Sequence, residues 1–167
     1  MRSGRIALLL AAATALQFLG GGSRHRGVWP ADFLLIATAV VARSGDFVRA
    51  VFAGGAVGFL EDALNHDLLG FNAFAKAALG YVLALLSVRV IFGGAWAVGL
   101  ALTFSSLAND VIVAVLSLLL LKAPVVLFSR DALWRAVTTG LTASLLEAAW
   151  NFPWRQWWER RRLRRRR

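Results

Sequence analysis

The feature that most restricts this chain is the run from about Ala95 to Leu121. It carries one charged residue, Asp110, and is long enough to cross the ~30 Å hydrocarbon core of a bilayer as a helix. Further apolar runs cover residues 6–19, 30–42, 47–60, 72–90 and 132–150. A chain of 167 residues that is 59% hydrophobic and only 17% charged, with runs of this kind, is poorly suited to a water-soluble domain. The expected fold class is all-α: a polytopic helical membrane protein with about six transmembrane helices. Residues 1–153 form a single transmembrane domain and residues 154–167 a basic juxtamembrane cytoplasmic tail.

The breaks between runs have physical causes. Gly20, Gly21 and Gly22 end the first run because consecutive glycines are poor helix formers. That run follows Arg2 and Arg5 and reads as a short membrane helix, although alanines at 11, 12, 13 and 15 also suit a signal-peptide cleavage site. Pro30 suits the first turn of the second helix, where its missing N–H is not needed. The second and third runs are short for full spans, which leaves local bilayer thinning, extension into the headgroups or a shallow hairpin. Pro124 marks the break after the fifth run.

Charge placement sets the orientation. The formal net charge is +10, and eight of the nineteen basic residues follow Pro153 in WRQWWERRRLRRRR, directly behind an apolar segment. A tail so placed sets topology and touches anionic lipid rather than nucleic acid. With both termini cytoplasmic, the inner side receives Arg2, Arg5, Arg43, Arg49, Arg89 and those eight arginines, while the outer side receives Arg24, Arg26, Lys122 and Arg130. Trp150, Trp154, Trp157 and Trp158, with Trp96, mark the inner interface; Trp29 and Trp134 mark the outer one.

Most chemistry is excluded by what the chain lacks. Without cysteine there is no disulfide, thiolate metal site or cysteine nucleophile, and His25 and His66 are far apart in sequence. The serines have no plausible histidine base, no glycine-rich phosphate loop follows a strand, and the acids lie on different helices. His66 between Asp62 and Asp67 reads as a polar turn rather than an outer-face active site. The expectation is a non-enzymatic protein with no cofactor and no metal.

The distinctive stretch is residues 53–86, two apolar helices joined by an acidic turn around Glu61, Asp62 and Asp67. Ala50, Gly54 and Gly58 recur every four residues, as do Ala73 with Ala77 and Gly80 with Ala84. Small residues at that spacing let membrane helices pack backbone to backbone, with each other or with a partner's helix. Asp62 reads as a group that receives hydrogen bonds from the turn, or as a polar anchor for a partner, with Lys76 placed to neutralise it. Deeper, Asn109 and Asp110 lie near the middle of the fifth run. No base is evident at the depth of Asp110, so Ser106, Asn109, Thr38 and Thr142 are its expected hydrogen-bond donors, and it reads as interhelical glue or as a site for substrate or proton. Glu147 lies at the depth of Arg89 and reads as its partner.

The pattern Gly58-Phe-Leu-Glu-Asp62, then Leu69-Gly70-Phe-Asn-Ala73, then Gly80-Tyr81, resembles the glycine-aspartate and leucine-glycine signature of the bacterial rod-shape-determining MreD family. The close resemblance covers about thirty-five residues; Glu61 adds an acid beside the expected aspartate, and Asn72 stands where histidine is common. The resemblance implies a non-enzymatic scaffold of the cell-elongation machinery in the bacterial cytoplasmic (inner) membrane. Such a scaffold binds MreC and, through it, helps couple MreB filaments to peptidoglycan synthases and rod shape. It also implies a fold like the six-helix substrate-binding subunits of vitamin transporters, which supplies the alternative function: a small-molecule transporter subunit with a polar site around Asp110. On this reading Ala50, Gly54, Gly58, Asp62, Gly70, Asn72, Ala73 and Tyr81 form the partner-binding hairpin, and Lys76, Asn109, Asp110 and Glu147 are the intramembrane polar residues. MreC, anionic lipid and a second copy of the chain are the expected partners.

Overall fold

The computed structural model describes residues 11–17, 31–65, 69–89, 94–121 and 129–151. Their regular structure is entirely helical: α1 over residues 11–17, α2 (Phe33–Ala42), α3 (Phe47–Asn65), α4 (Phe71–Arg89), α5 (Ala95–Leu121) and α6 (Arg130–Asn151). The α5 bounds are those expected, and α4 and α6 agree within two residues at each end. Two segments, Phe71–Val88 and Ala95–Leu121, are long and apolar enough to cross a membrane. The acidic turn at His66 and Asp67, the tail from residue 152 and most of the first run lie outside the described residues.

Two boundaries differ from expectation for the same reason: a carboxylate finds donors. Helix α2 starts at Phe33, not near Pro30, because Asp32 is its N-cap and accepts 2.8 Å from the Leu35 N–H. Helix α3 runs five residues past Leu60, to Asn65, which places Glu61 and Asp62 inside the helix and not in the turn. Both acids are held by α4, so the helix continues through them. Between α2 and α3 the chain turns at Gly45, whose φ of +70° is left-handed, and Asp46 then caps α3 by accepting from the Arg49 N–H at 3.1 Å.

Helices α3 and α4 form one antiparallel hairpin and α5 and α6 another, with α2 set between them. At ten residues α2 is about 15 Å long, half the depth of a bilayer core. Seven of those ten residues are buried, so α2 acts as a central post. Leu35, Ile36 and Ala42 of α2 meet Ala50, Leu79, Leu83, Leu102 and Ala143 in the main apolar core, which therefore draws on every helix from α2 to α6.

The small-residue stripes are used within the hairpin. A Cβ on Gly54 would stand 2.2 Å from the Lys76 carbonyl oxygen, one on Gly58 2.3 Å from that of Asn72, and one on Gly80 2.4 Å from that of Ala50. Only glycine allows that backbone approach, and the dispersion gained along it holds α3 to α4. The second hairpin repeats the device where Gly99 faces Gly140 and Ser144. Of the two outcomes open to the stripe, packing on α4 is the one realised.

Large apolar side chains dominate the exposed surface of the described helices. Trp96 is 79% exposed, Phe52 74% and Leu119 70%, with Phe104, Leu145 and Trp134 also exposed. The interior contains Asp32, Thr38, Asp62, Asn72, Lys76, Ser106, Asn109 and Thr139, all buried.

Candidate functional site

Two polar constructions are built on this frame. The first is the head of the α3–α4 hairpin. Gly70 has φ of +110°, a conformation that favours glycine, and its N–H donates to Asp62 Oδ2 at 2.8 Å. Asn72 donates to Asp62 Oδ1 through both its backbone N–H, at 3.2 Å, and its Nδ2, at 2.7 Å. The Ala73 N–H adds a longer contact of 3.4 Å to Oδ2. Asp62 thus binds the otherwise unpaired N–H groups at the start of α4, where the helix dipole also favours negative charge. The expected role of Asp62 as acceptor of the turn's hydrogen bonds is what the structure has.

The head joins most of the hairpin residues expected from the sequence. Gly58 lies against the backbone of Asn72 and Ala73, beside Asp62 and Gly70, and Gly54 and Ala50 continue the seam along α4. Tyr81 is apart from it. It lies ten residues into α4, about 15 Å along the helix axis, is half exposed, and packs its ring 5.5 Å from that of Phe47.

The second construction is a charged junction, and here the structure corrects the sequence expectations. Lys76 does not neutralise Asp62. Its fully buried ammonium donates to Asp32 Oδ2 and lies 2.9 Å from Glu61 Oε2. Asp62 already has its donors, whereas the carboxyl groups of Asp32 and Glu61 both lie at the Lys76 ammonium. The Asp32 N–H donates to Thr139 Oγ1 at 2.9 Å, and that hydroxyl donates to the Arg135 carbonyl at 2.7 Å, tying the start of α2 to α6.

Asp110 does have a base. Arg135 Nη2 donates to its Oδ1 at 2.5 Å, because the long guanidinium arm reaches inward from the second turn of α6. Of the donors expected for Asp110, Thr38 and Thr142 instead turn back to carbonyls of their own helices, those of Leu34 and Thr138. Asn109 is buried beside it in sequence, and Asn109 Oδ1 and Asp110 Oδ2 accept no hydrogen bond among the described residues. Glu147 pairs with Arg43, which follows α2, and also accepts from Asn151 at 2.7 Å; the side chain of Arg89, its expected partner, lies outside what the structure describes.

Asp32 and Arg135 are site residues that sequence reasoning missed, and a local pattern could have found Asp32. Its signal was present: an N-capping residue type directly before an apolar run is a helix-start pattern. The same observation would have placed the start of α2 correctly.

A crevice beside α2, lined by Ala39, Arg43, Leu83, Val98, Ala101 and Leu102, encloses about 20 Å³, room for roughly one water. Asp110 is not among its walls. No group of three or more histidine or acidic residues able to hold a metal occurs among the described residues. No protein-family model matches this chain, and no curated protein or solved structure matches it either.

Proposed function

We propose that this chain is a polytopic protein of the bacterial cytoplasmic membrane, with both termini cytoplasmic, and that it works as a non-enzymatic scaffold of the MreD type. It binds MreC and through it helps couple MreB filaments to peptidoglycan synthesis. The observation that carries this reading is the hairpin head. Gly58, Asp62, Gly70, Asn72 and Ala73, the residues on which the MreD resemblance rests, form one continuous hydrogen-bonded and backbone-packed unit.

The distribution of polarity supports the membrane placement. Large apolar side chains cover the outside while charges are paired within, the arrangement favoured where the surroundings are hydrocarbon. The pairing at Arg43 and Glu147, opposite in the bundle to the junction at Lys76, fits helices that alternate in direction through a bilayer. The pairing of Asp110 with Arg135 favours an interhelical contact over a substrate site, so the transporter is the lesser reading.

Since α4 fills the small-residue seam, a partner helix meets the hairpin from its other side, where Phe52 and Phe59 are exposed on α3. Detergent co-purification with MreC from the same organism tests the proposal. Native chain retains MreC, and the Phe52→Ala/Phe59→Ala variant, shown to be folded, retains less. Failure of the folded native chain to retain MreC, together with saturable uptake of a small molecule by the chain in vesicles, would overturn the scaffold in favour of the transporter.

A further inference from the structure

The charged junction contains an imbalance that the scaffold reading does not use. Each described helix from α2 to α6 brings one ionisable side chain to it: Asp32 as the α2 cap, Glu61 from α3, Lys76 from α4, Asp110 from α5 and Arg135 from α6. Besides its pairing with Asp110, Arg135 lies within electrostatic reach of Asp32 and Glu61, and Glu61 lies within reach of Asp32. Among the described residues, three carboxylates therefore face two cations. The other described ionisable groups at this end of the helices do not alter this count. Asp62 turns to the start of α4, and Arg130 and Asp131 are exposed at the start of α6.

The three acids are not equally supported. Asp32 accepts from Lys76 and from the Leu35 N–H, and it caps a helix N-terminus, where negative charge is favoured. Asp110 accepts from the Arg135 guanidinium. Glu61 shares Lys76 with Asp32: its Oε2 lies 2.9 Å from an ammonium that already donates to Asp32, and no other group among the described residues donates to that oxygen. Two carboxylates around one buried ammonium repel each other, and removing an uncompensated charge from water is expensive.

We propose that this five-helix junction is a proton-binding site in which Glu61 holds the proton as a neutral carboxylic acid beside two neutral ion pairs, Asp32–Lys76 and Asp110–Arg135. Proton occupancy is thereby linked to helix packing. Removing the proton leaves one unbalanced negative charge where α2, α3, α4, α5 and α6 meet, and taking it up restores neutrality.

Infrared spectroscopy of the purified full chain at neutral pH tests this through the carbonyl stretch of a protonated carboxyl group. The expected result is one such band that shifts when the glutamates carry ¹³C in their side-chain carboxyl groups and stays in place when the aspartates do. The band disappears in Glu61→Gln and persists in Asp110→Asn. The labelling uses unsubstituted protein, so the test survives any failure of a variant to fold. A native protein with no such band, or with a band that follows aspartate label, would overturn the proposal. A glutamate band retained in folded Glu61→Gln would do the same.

Discussion

Gly54 and Gly55 are neighbours on α3 that face different surroundings, and substituting each by alanine separates packing from helix propensity. At Gly54 the new Cβ would stand 2.2 Å from the Lys76 carbonyl oxygen and 2.7 Å from its carbon, where ordinary contact begins at 3.4 Å. Both obstacles are backbone, so no side-chain rotation relieves them and α3 must withdraw from α4 by about 1 Å. Overpacking of this kind costs about 1–3 kcal/mol. Replacing glycine by alanine inside a helix returns about 1 kcal/mol. With so short an approach the upper part of the range applies, and the net loss is about 1–2 kcal/mol. At Gly55 the nearest atom is the Ala77 Cβ at 3.8 Å, an ordinary contact, so only the propensity gain of about 0.5–1 kcal/mol remains. Reversible unfolding in mixed detergent micelles, followed by helical circular dichroism, should place Gly54→Ala below the native chain and Gly55→Ala at or above it. Equal stabilities for the two variants would refute the seam as the feature that holds the hairpin.

Three further outcomes follow from the polar contacts. Asp62→Ala removes the acceptor for the Gly70, Asn72 and Ala73 N–H groups and should lower stability by about 1–2 kcal/mol in the same unfolding assay, with hydrogen exchange accelerating first at those amides. Asp110→Asn and Arg135→Met should each be destabilising, and the double variant less so than the sum, by a coupling of about 0.5–3 kcal/mol in a double-mutant cycle. Arg43→Ala should lower stability by no more than about 1 kcal/mol, because Arg43 is 44% exposed and its pairing with Glu147 is solvent-screened; the unfolding midpoint checks this.

Much of the helical layout was legible because long apolar runs and small-residue spacing are local signals. The α5 bounds and the Ala50–Gly54–Gly58 seam could be read directly. What was not legible was the choice of ionic partners. Lys76 lies close in sequence to Asp62, yet Asp62 is satisfied by backbone N–H groups that a sequence does not display, and the ammonium goes to Asp32 and Glu61. Arg135 reaches Asp110 because its long arm extends along the bundle, so a comparison of Cα depths along the sequence shows no base beside Asp110. The end of α3 was set too early for a related reason: Glu61 and Asp62 look like turn residues until the donors that hold them are known.

The central claim, a membrane scaffold whose α3–α4 hairpin meets MreC, is tested most directly by a photo-crosslinking amino acid placed in living cells at Phe59 on α3 and, separately, at Leu145 on α6, both exposed. The account predicts an adduct with MreC from position 59 and none from position 145. An adduct from position 145 alone, or none from either position in cells where both proteins are present in the membrane, would contradict it.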